Sequence, residues 1–449
     1  MSKFFLAIIG GGPAGYTAAE KASKAGKDVV LFEQNAVGGT CLNVGCIPTK
    51  SLLYGAKQYY HATHAQKYGV NAENVTFDFV AMQKRKTIVV RKLVAGIKQR
   101  LNNEHCTLVS GFAKVISQQP TANSQWLIEC NGEIYEAENL MICTGSTNFV
   151  PPIPGIKDNE HVWDSTDALA ATELPKSVII VGGGVIGMEF ATLYNELGVP
   201  VTVIEALPSI LPNLDPDVVS VLADKYRKAG INILTSTKVE SIDGGKVTAN
   251  GVEYEAEKIL VSVGRRANLS GLEALSDLEL NRGAIVIDDF CKTNLPNVYA
   301  CGDVTGKIML AHVASRQAEV AVGRMLKQIP LQRIAYNAIP SVVYTNPEIA
   351  SVGITESQAA EMNIPVEVRS LPMTFSGRFM AENDGETGLC KMIVDAKNHS
   401  VLGVHMIGNP CSEFIAAASF AVRMGYTTAE FQQVVFPHPT VSEILHEIL

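Results

Sequence analysis

The sequence predicts an α/β fold with two similar βαβ units and a third domain of mixed α+β type. Residues 6–33 and 177–205 indicate the two units, because each reads as a short apolar strand, three glycines within six residues, a helical pattern and a second strand that ends in an acid. The chain from about residue 335 opens with the β-rich run 341–345 and ends in helical patterns. At 449 residues the chain also exceeds what one hydrophobic core usually supports.

The first glycine-rich turn predicts a dinucleotide site. It joins the strand at residues 6–9 to a helix, and the next strand ends in an acid. The first glycine of such a turn permits a tight bend, the second lets the backbone approach a pyrophosphate, and the third lets the helix pack on the strand. Such turns also occur in proteins that bind no ligand, but an acid placed to accept from a ribose hydroxyl favours binding. The residues concerned are Gly10, Gly12, Gly15 and Glu33.

The second unit repeats this design with Gly182, Gly184, Gly187 and Glu205. Its helix is expected to reach residue 197, and its second strand is expected over residues 199–204. A carboxylate at position 205 repels a 2′-phosphate, and residues 206–209 supply no arginine to receive one. We therefore expect the second site to prefer NAD over NADP.

Composition argues against several classes of partner. The chain has 37 basic and 45 acidic residues, a net charge of -8, and no run of like charge, which disfavours a nucleic-acid or anionic membrane surface. An apolar strand pattern begins at once, so no export signal is expected. The most apolar later stretch, residues 178–194, contains three consecutive glycines and an acid, which fits a buried strand and helix better than a membrane span. We predict a soluble cytoplasmic protein without a metal site.

Two of the nine cysteines, Cys41 and Cys46, lie close together, whereas the others are scattered and predict buried thiols. In a regular helix, residues five apart have Cα atoms about 8 to 9 Å apart, beyond the roughly 7 Å limit for a disulfide. A bridge would therefore require an irregular turn, which Gly45 permits. Two reduced thiols at a helix start are the alternative, but a catalytic dithiol is favoured because the pair directly follows the first dinucleotide unit.

Residues 38–50, GGTCLNVGCIPTK, closely resemble the redox-active segment of the flavoprotein pyridine-nucleotide disulfide oxidoreductases, above all that of the dihydrolipoamide dehydrogenases. The resemblance covers nearly the whole chain, and it is carried by both glycine turns and by residues 38–50, 264–268, 293–303, 309–312, 340–353 and 436–443. It implies that the first unit binds FAD and the second NAD. It also implies an enzyme that oxidises dihydrolipoamide through a Cys41–Cys46 disulfide and FAD and reduces NAD to NADH.

The resemblance implies a role for each matching residue. Cys46 would be the sulfur nearest the flavin, Cys41 would exchange with substrate, and Lys50 beside the flavin would pair with Glu189. Taken singly, these last two also read as a surface lysine and a helix glutamate. Further cofactor contacts implied at matching positions are Thr40, Lys50, Ala113, Asp303 and Ala311 for FAD, and Val239, Gly264 and Arg265 for NAD.

A histidine and an acid near the end of the chain, His438 and Glu443, complete the implied site. A lone histidine there is usually structural or exposed, but in the family this imidazole is the base for the dithiol and the carboxylate holds its tautomer. The family places it across a dimer interface from the cysteines, which implies a homodimer with a shared site. The implied domains are FAD-binding (1–145 and 269–334), NAD-binding (146–268) and interface or dimerisation (335–449).

Three positions depart from the family pattern. Phe436 stands where a first histidine is common, Ala267 replaces a usual proline, and Ala318 stands where glycine is frequent. They leave room for an altered substrate channel, so a related NAD(P)H-dependent reductase of another small disulfide is the alternative function. A redox-silent nucleotide-binding subunit is the alternative from another class. The implied partners are the lipoyl domains of 2-oxo-acid dehydrogenase or glycine-cleavage complexes.

Overall fold

A computed structural model describes residues 2–117, 120, 125–330, 333–383 and 385–449. The chain folds as two compact units, each assembled from three stretches. The first comprises Met1–Ser51, Ala81–Phe149 and Gly264–Ile334, and the second comprises Leu52–Val80, Val150–Val263 and Ala335–Leu449. The division into three domains that the sequence implies stays a prediction.

The strands, in chain order, are β1 (Ser2–Ile9), β2 (Val29–Glu33), β3 (Cys106–Ser110), β4 (Lys114–Val115), β5 (Trp126–Cys130), β6 (Glu133–Ile142), β7 (Ser146–Asn148), β8 (Val162–Trp163), β9 (Val178–Val181), β10 (Val201–Ile204), β11 (Asn232–Leu234), β12 (Val239–Asp243), β13 (Lys246–Ala249), β14 (Val252–Glu255), β15 (Lys258–Val261), β16 (Arg265–Ala267), β17 (Leu280–Asn281), β18 (Ala284–Ile285), β19 (Val298–Ala300), β20 (Ser341–Val343), β21 (Ile349–Gly353), β22 (Val366–Pro372), β23 (Leu389–Asp395) and β24 (Val401–Ile407).

The helices are α1 (Pro13–Lys24), α2 (Gly39–Val44), α3 (Cys46–Thr63), α4 (Phe79–Leu101), α5 (Ser165–Ala170), α6 (Val185–Glu196), α7 (Pro216–Lys228), α8 (Ala311–Met325), α9 (Glu356–Glu361), α10 (Gly377–Glu382), α11 (Cys411–Met424), α12 (Thr428–Phe431) and α13 (Ile444–Glu447). Short 3-10 helices cover Ala65–Tyr68, Asp303–Thr305, Tyr336–Ala338, Met373–Phe375 and Val441–Glu443. Over the described ranges, none of these helices combines the length and the apolar character that crossing a membrane requires.

The first unit is built on a seven-stranded sheet in the order β3-β2-β1-β6-β5-β4, with β19 also paired to β6. The central strand β1 is parallel to both β2 and β6. Leu6, Ala7 and Ile8 of this strand are fully buried, as expected for a strand that is covered on both faces. The succession β1, α1 and β2 confirms the first predicted βαβ unit, and its glycine turn lies at the carboxyl end of β1.

The second predicted βαβ unit is formed by β9, α6 and β10 in the second compact unit. Strand β9 is central in a parallel sheet of order β11-β10-β9-β15-β8 and is buried throughout. The antiparallel sheet β12-β13-β14 shares its apolar core through Val239, Ile242 and Val247. Helix α6 ends at Glu196, one residue before the predicted end.

Residues 335–449 have the mixed α+β structure that the sequence predicts. Their strands form an antiparallel sheet in the order β20-β21-β24-β23-β22, and α11 packs against β21 and β24. Buried apolar side chains such as Val352, Val404 and Ile415 make up the core between helix and sheet. This sheet belongs to the same compact unit as the second βαβ unit.

Candidate active site

The first glycine turn has close contacts that leave no room for a side chain at two of its positions. Gly10 has a φ of 104°, and a Cβ there would lie 2.2 Å from the carbonyl oxygen of Cys143. A Cβ on Gly15 would lie 1.8 Å from the Gly10 carbonyl oxygen. Gly12 precedes the first residue of α1, and it gives the helix no side-chain cap. The first N–H groups of α1 are therefore available to an anion, so this turn fits the pyrophosphate of FAD.

Glu33 is fixed on this turn by backbone hydrogen bonds. Its Oε2 accepts from the N–H of Gly11 at 2.7 Å, and its Oε1 accepts from the N–H of Asn35 at 2.8 Å. A carboxylate has about four lone-pair sites, so each oxygen retains capacity for a further donor. The carboxylate is thus oriented beforehand and fits a ribose hydroxyl.

The second glycine turn has the same local construction. A Cβ on Gly187 would lie 2.1 Å from the Gly182 carbonyl oxygen, whereas a Cβ on Gly184 would meet no atom within 4 Å. The Oε2 of Glu205 accepts from the N–H of Gly183 at 2.7 Å, and its Oε1 accepts from the N–H of residue 207 at the same distance. Because α6 also begins without a side-chain cap, this turn fits a second dinucleotide.

The segment that carries the cysteine pair lies directly against the first glycine turn. The N–H of Gly38 donates to the carbonyl oxygen of Gly11 at 2.8 Å. A Cβ on Gly39 would lie 2.6 Å from the Cα of Gly12, so the two backbones approach as closely as glycine allows. Helix α2 therefore begins beside the turn that fits FAD.

The helix that would separate Cys41 from Cys46 is interrupted at Gly45. Helix α2 ends at Val44, Gly45 has φ of -146° and ψ of -110°, and α3 begins at Cys46. A Cβ on Gly45 would lie 2.9 Å from the carbonyl oxygen of Thr40. The irregular turn that the five-residue spacing requires is thus present at the residue that the sequence indicated.

Cys41 and Cys46 are present as half-buried thiols. The thiol of Cys41 is hydrogen-bonded to Cys46; this bond first, and burial second, raise the pKa of Cys41, while the Lys50 ammonium opposes the rise. Tyr16 lies near enough to feel the charge of Cys41. Burial first, and this charge second, raise the pKa of the Tyr16 phenol. The structure therefore brings Cys41, Cys46 and Lys50 together. It adds Tyr16, which the sequence analysis missed because nothing in its local pattern relates it to the cysteines.

Asp303 is held by a chain of polar contacts within the first unit. Ser146 Oγ donates to Asp303 Oδ2 at 2.6 Å, and Arg265 Nε donates to Ser146 Oγ at 2.7 Å. The guanidinium also donates to Ser146 O at 2.7 Å and to Asn148 Oδ1. The sequence analysis assigned no role to Ser146 or Asn148, and their only signal is the polar character of β7. The contact of Arg265 with NAD stays a prediction.

The remaining predicted cofactor contacts lie in both units. Thr40 and Ala311 are in the first turns of α2 and α8, and Ala113 is buried in the first unit. Gly264, with a φ of 126°, immediately precedes β16. Val239 begins β12 in the second unit and is buried. Their contacts with FAD or NAD stay predictions.

Glu189 is a nearly buried carboxylate on α6, with 4% of its surface exposed. Its Oε1 accepts from the backbone N–H of Tyr344 at 3.1 Å, a bond within the second unit. Lys50 belongs to the first unit. The pairing of these two side chains stays a prediction.

His438 and Glu443 form a hydrogen-bonded pair near the end of the chain. The distance from His438 Nδ1 to Glu443 Oε1 is 2.8 Å, and the imidazole is 80% exposed. Glu443 Oε2 accepts from the N–H of Thr440 at 2.8 Å; this bond first, and His438 second, lower the pKa of Glu443. An ionised carboxylate at Nδ1 keeps the proton on that nitrogen, which leaves Nε2 as an acceptor. The pair therefore has the arrangement of a general base.

The site combines two dinucleotide turns, each with its own acid, and a thiol pair whose segment is hydrogen-bonded to the first turn. This combination defines an oxidoreductase that acts on sulfur groups. Sequence comparison agrees with this class. Residues 4–318 match the model of the pyridine nucleotide-disulphide oxidoreductases, and residues 339–449 match the dimerisation domain of the same proteins. The chain belongs to this family, which uses FAD and NAD, and its dimerisation domain supports a homodimer.

Individual relatives match over nearly the full length of the chain. The dihydrolipoyl dehydrogenase of Chlamydia pneumoniae is 35% identical over 99% of this chain and 96% of its own length. That of Geobacillus stearothermophilus is 36% identical over 98% and 94%. Among solved structures, the HOCl-induced flavoprotein disulfide reductase RclA from Escherichia coli is 30% identical, with a TM-score of 0.87 over 99% of both chains. LpdA from Mycobacterium tuberculosis is 26% identical, with a TM-score of 0.91 over 100% of this chain and 99% of its own.

Proposed function

We propose that the chain is a dihydrolipoyl dehydrogenase, which oxidises dihydrolipoamide to lipoamide and reduces NAD to NADH. The observation that carries the proposal is the thiol pair of Cys41 and Cys46 across the break at Gly45, on a segment bonded to the first glycine turn. The relatives named dihydrolipoyl dehydrogenase support the choice of substrate. Glu205 supports the choice of NAD, because a carboxylate repels a 2′-phosphate.

His438 is the proposed base that accepts the substrate proton at Nε2. Glu443 holds the Nδ1 proton through the 2.8 Å contact and stabilises the imidazolium that forms. With 80% of its surface exposed in one subunit, His438 is accessible to a substrate or to a second copy of the chain. We therefore assign the base of each site to the partner subunit of a homodimer.

The sulfur step begins from the oxidised Cys41–Cys46 pair. One substrate thiolate attacks Cys41 Sγ, the S–S bond breaks, and Cys46 leaves as a thiolate. The second substrate sulfur then attacks the first, so that the S–S bond of lipoamide forms and Cys41 is released. Lys50, whose charge opposes the rise in the pKa of Cys41, stabilises negative charge on the pair.

The cofactors complete the electron balance. When bound, FAD supplies a two-electron carrier between the cysteine pair and NAD. The first glycine turn with Glu33 and Asp303 would hold FAD, and the second glycine turn with Glu205 would hold NAD. In a cell, the substrate would be a lipoyl arm on a 2-oxo-acid dehydrogenase or glycine-cleavage complex, so the lipoyl domains are the proposed partners.

Steady-state assays with four substrate pairs test the proposal. NADH and NADPH are each combined with lipoamide and with glutathione disulfide, and the ratios of kcat/KM are compared. We expect NADH with lipoamide to be the best pair. A preference for another small disulfide would instead favour a reductase of the kind that the likeness to RclA suggests. A preference for NADPH would contradict the role assigned to Glu205.

Anaerobic titration with dithionite is expected to deliver about four electrons per FAD. Two electrons reduce the Cys41–Cys46 disulfide and two reduce the flavin, so a long-wavelength absorbance from the contact of thiolate and flavin should appear at the two-electron stage. The spectrum is recorded after each addition. Uptake of only two electrons would identify a redox-silent pair and would contradict the proposed function.

A further inference from the structure

The antiparallel sheet of residues 335–449 carries a lysine in its interior. Lys391 lies on β23, between the neighbouring strands β24 and β22, and only 2% of its side chain is exposed. The residues before and after it, Cys390 and Met392, belong to the apolar core that the sheet shares with α11. Because side chains alternate along a strand, Lys391 lies on the opposite face of the sheet. A charged group buried in this way requires partners of opposite charge.

Three carboxylates surround the Lys391 ammonium. Its Nζ donates to Oδ2 of Asp217, which is 174 positions away along the chain, at 2.6 Å. The same nitrogen lies 3.2 Å from Asp215 Oδ2 and 2.8 Å from Glu356 Oε2. Asp215 is fully buried, whereas the other two acids are exposed. Burial lowers the pKa of the ammonium, but the carboxylates outweigh burial and raise the pKa above its ordinary value, so Lys391 is charged.

Two of these carboxylates lie at the start of α7, the helix that follows the second βαβ unit. Asp215 is the N-cap of this helix, and its Oδ1 accepts from the N–H of Asp217 at 3.1 Å. One oxygen of Asp215 thus caps the helix, while the other lies near Lys391. Lys391 therefore attaches the first turn of α7 to the sheet of residues 335–449, within one compact unit.

The segment that leads into α7, residues 205–215, runs along the second glycine turn. It begins at Glu205, whose carboxylate accepts from the N–H of Gly183 at 2.7 Å. In its middle, the N–H of Leu211 donates to the Gly183 carbonyl oxygen at 2.8 Å. A Cβ on Gly183 would lie 2.8 Å from the side chain of Ile210. The segment is thus held at its start and middle by the glycine turn, and at its end by the N-cap of α7.

The beginning of the 205–215 segment would border the adenosine half of a bound dinucleotide. Glu205 is expected to accept from a ribose hydroxyl, and Ala206, Leu207 and Pro208 are exposed directly after it. Further along, Leu211 has a φ of 46°. A leucine adopts this left-handed region only where its surroundings hold it there. The shape of the segment therefore depends on the contacts at both of its ends.

The loss of the Lys391 charge would release the far end of this segment. Asp215 would then be a buried carboxylate without a counter-charge, close to two further acids. A buried charge that has lost its partner costs more free energy than an N-cap hydrogen bond contributes. Asp215 would therefore move towards water, and the end of the 205–215 segment would move with it.

We propose that Lys391 is a positioning residue for NAD: by neutralising Asp215 and Asp217, it fixes the 205–215 segment in the shape that binds the adenosine half of the coenzyme. The inference rests on the part of the proposed function that assigns NAD to the second glycine turn. Its consequence is that a residue in the region that matches the dimerisation domain controls the affinity for the coenzyme, through α7 rather than by direct contact.

Two variants and one control test this role. Lys391→Met removes the charge and keeps a long side chain. Asp215→Asn removes the opposite charge but keeps an oxygen that can cap α7, so it tests the ion pair even if Lys391→Met does not fold. The matched control is Lys225→Met. Lys225 is in the last turn of α7 and pairs with Glu386, so this ion pair also joins α7 to residues 335–449, but at the other end of the helix.

The probe is ADP-ribose, which contains the adenosine half of NAD and lacks the nicotinamide. Calorimetry gives its Kd for each oxidised holoenzyme, and dye reduction gives the KM for NADH. For Lys391→Met we expect both constants to rise about two- to thirtyfold, the range for residues that act on a site through others. Asp215→Asn should show a smaller rise in both constants. The rate of flavin reduction by dihydrolipoamide, measured by rapid mixing, should stay at the wild-type value in both variants.

The control separates positioning from a general loss of stability. Lys225→Met should lower the melting temperature but leave the Kd for ADP-ribose unchanged. A rise in Kd equal to that of Lys391→Met would overturn the proposal, because any loosening of α7 would then have the same effect. An unchanged Kd in Lys391→Met would also overturn it; if that variant does not fold, an unchanged Kd in Asp215→Asn decides in the same way.

The wild-type protein distinguishes this inference from the proposed function. If it binds ADP-ribose and the variants bind it equally well, only the role of Lys391 fails. If it does not bind ADP-ribose, the assignment of NAD to the second glycine turn fails, and this inference fails with it. If the variants bind ADP-ribose more weakly but the wild type takes up only two electrons per FAD, the sulfur chemistry fails and the role of Lys391 stands.

Discussion

The Cys41→Ser variant is expected to lose lipoamide turnover by at least about three orders of magnitude while it retains FAD and NADH-dependent dye reduction. A hydroxyl cannot form the S–S bond on which the exchange with substrate depends. Dye reduction should persist because neither glycine turn includes Cys41. The rates of both reactions and the flavin content of the purified variant are measured on one preparation. The long-wavelength absorbance of Cys46 with the flavin provides a further check.

The matched control for this variant is Cys106→Ser. Cys106 is also half-buried, but it lies on β3, and burial raises the pKa of its thiol to about 11. Its replacement should leave both reactions near their wild-type rates. Lipoamide turnover that survives in Cys41→Ser would show that Cys41 is not the exchanging sulfur. Loss of dye reduction together with FAD would instead indicate that the substitution damaged the flavin site.

The His438→Gln variant is expected to lower kcat for dihydrolipoamide oxidation by about two to four orders of magnitude, the usual effect of removing a general base. Glutamine fills a similar volume but cannot accept the proton of a substrate thiol. Because the imidazole is 80% exposed, the substitution should change the melting temperature little. The pH dependence of kcat is measured as well. The kcat of the variant should partly recover at high pH, where the substrate thiol ionises without a base.

The matched control for His438→Gln is His105→Gln. His105 Nδ1 lies 2.9 Å from Asp28 Oδ1, so it is a second histidine beside a carboxylate, with 37% of its surface exposed. It belongs to the first unit and directly precedes β3. Its replacement should leave kcat unchanged. Equal rates for His438→Gln and wild type would contradict the assignment of the base.

Features that depend on neighbours along the chain were predictable from the sequence. The two βαβ units lie where their glycines and strand patterns placed them, and α6 ends within one residue of its predicted end. The break at Gly45 was also predictable, since a bridge between residues five apart excludes a regular helix. These predictions required only covalent geometry and the periodicity of apolar residues.

Features that depend on contacts between distant segments could not be predicted. Lys391 and Asp217 are 174 residues apart, and neither belongs to a recognisable motif. The bonds of Arg265 to Ser146 and Asn148 join residues 119 and 117 apart, through the antiparallel pairing of β7 and β16. Hydrogen-bond partners of this kind follow from the tertiary fold, so a pattern in one segment carries no information about them.

The way each acid is bound to its glycine turn constrains the redesign of coenzyme preference. Glu205 is the residue that we propose disfavours a 2′-phosphate, and its two oxygens also hold the N–H groups of Gly183 and Leu207. A change to a neutral or basic residue would therefore remove two internal bonds together with the repulsion. The loss costs about 1 to 3 kcal/mol for the N–H of Gly183, whose bond is buried, and less for the N–H of Leu207, whose bond is only partly buried. An engineer who seeks an NADPH-dependent form must supply new acceptors for both amides. Because Glu33 has its own separate bonds, such a redesign can leave the flavin half intact.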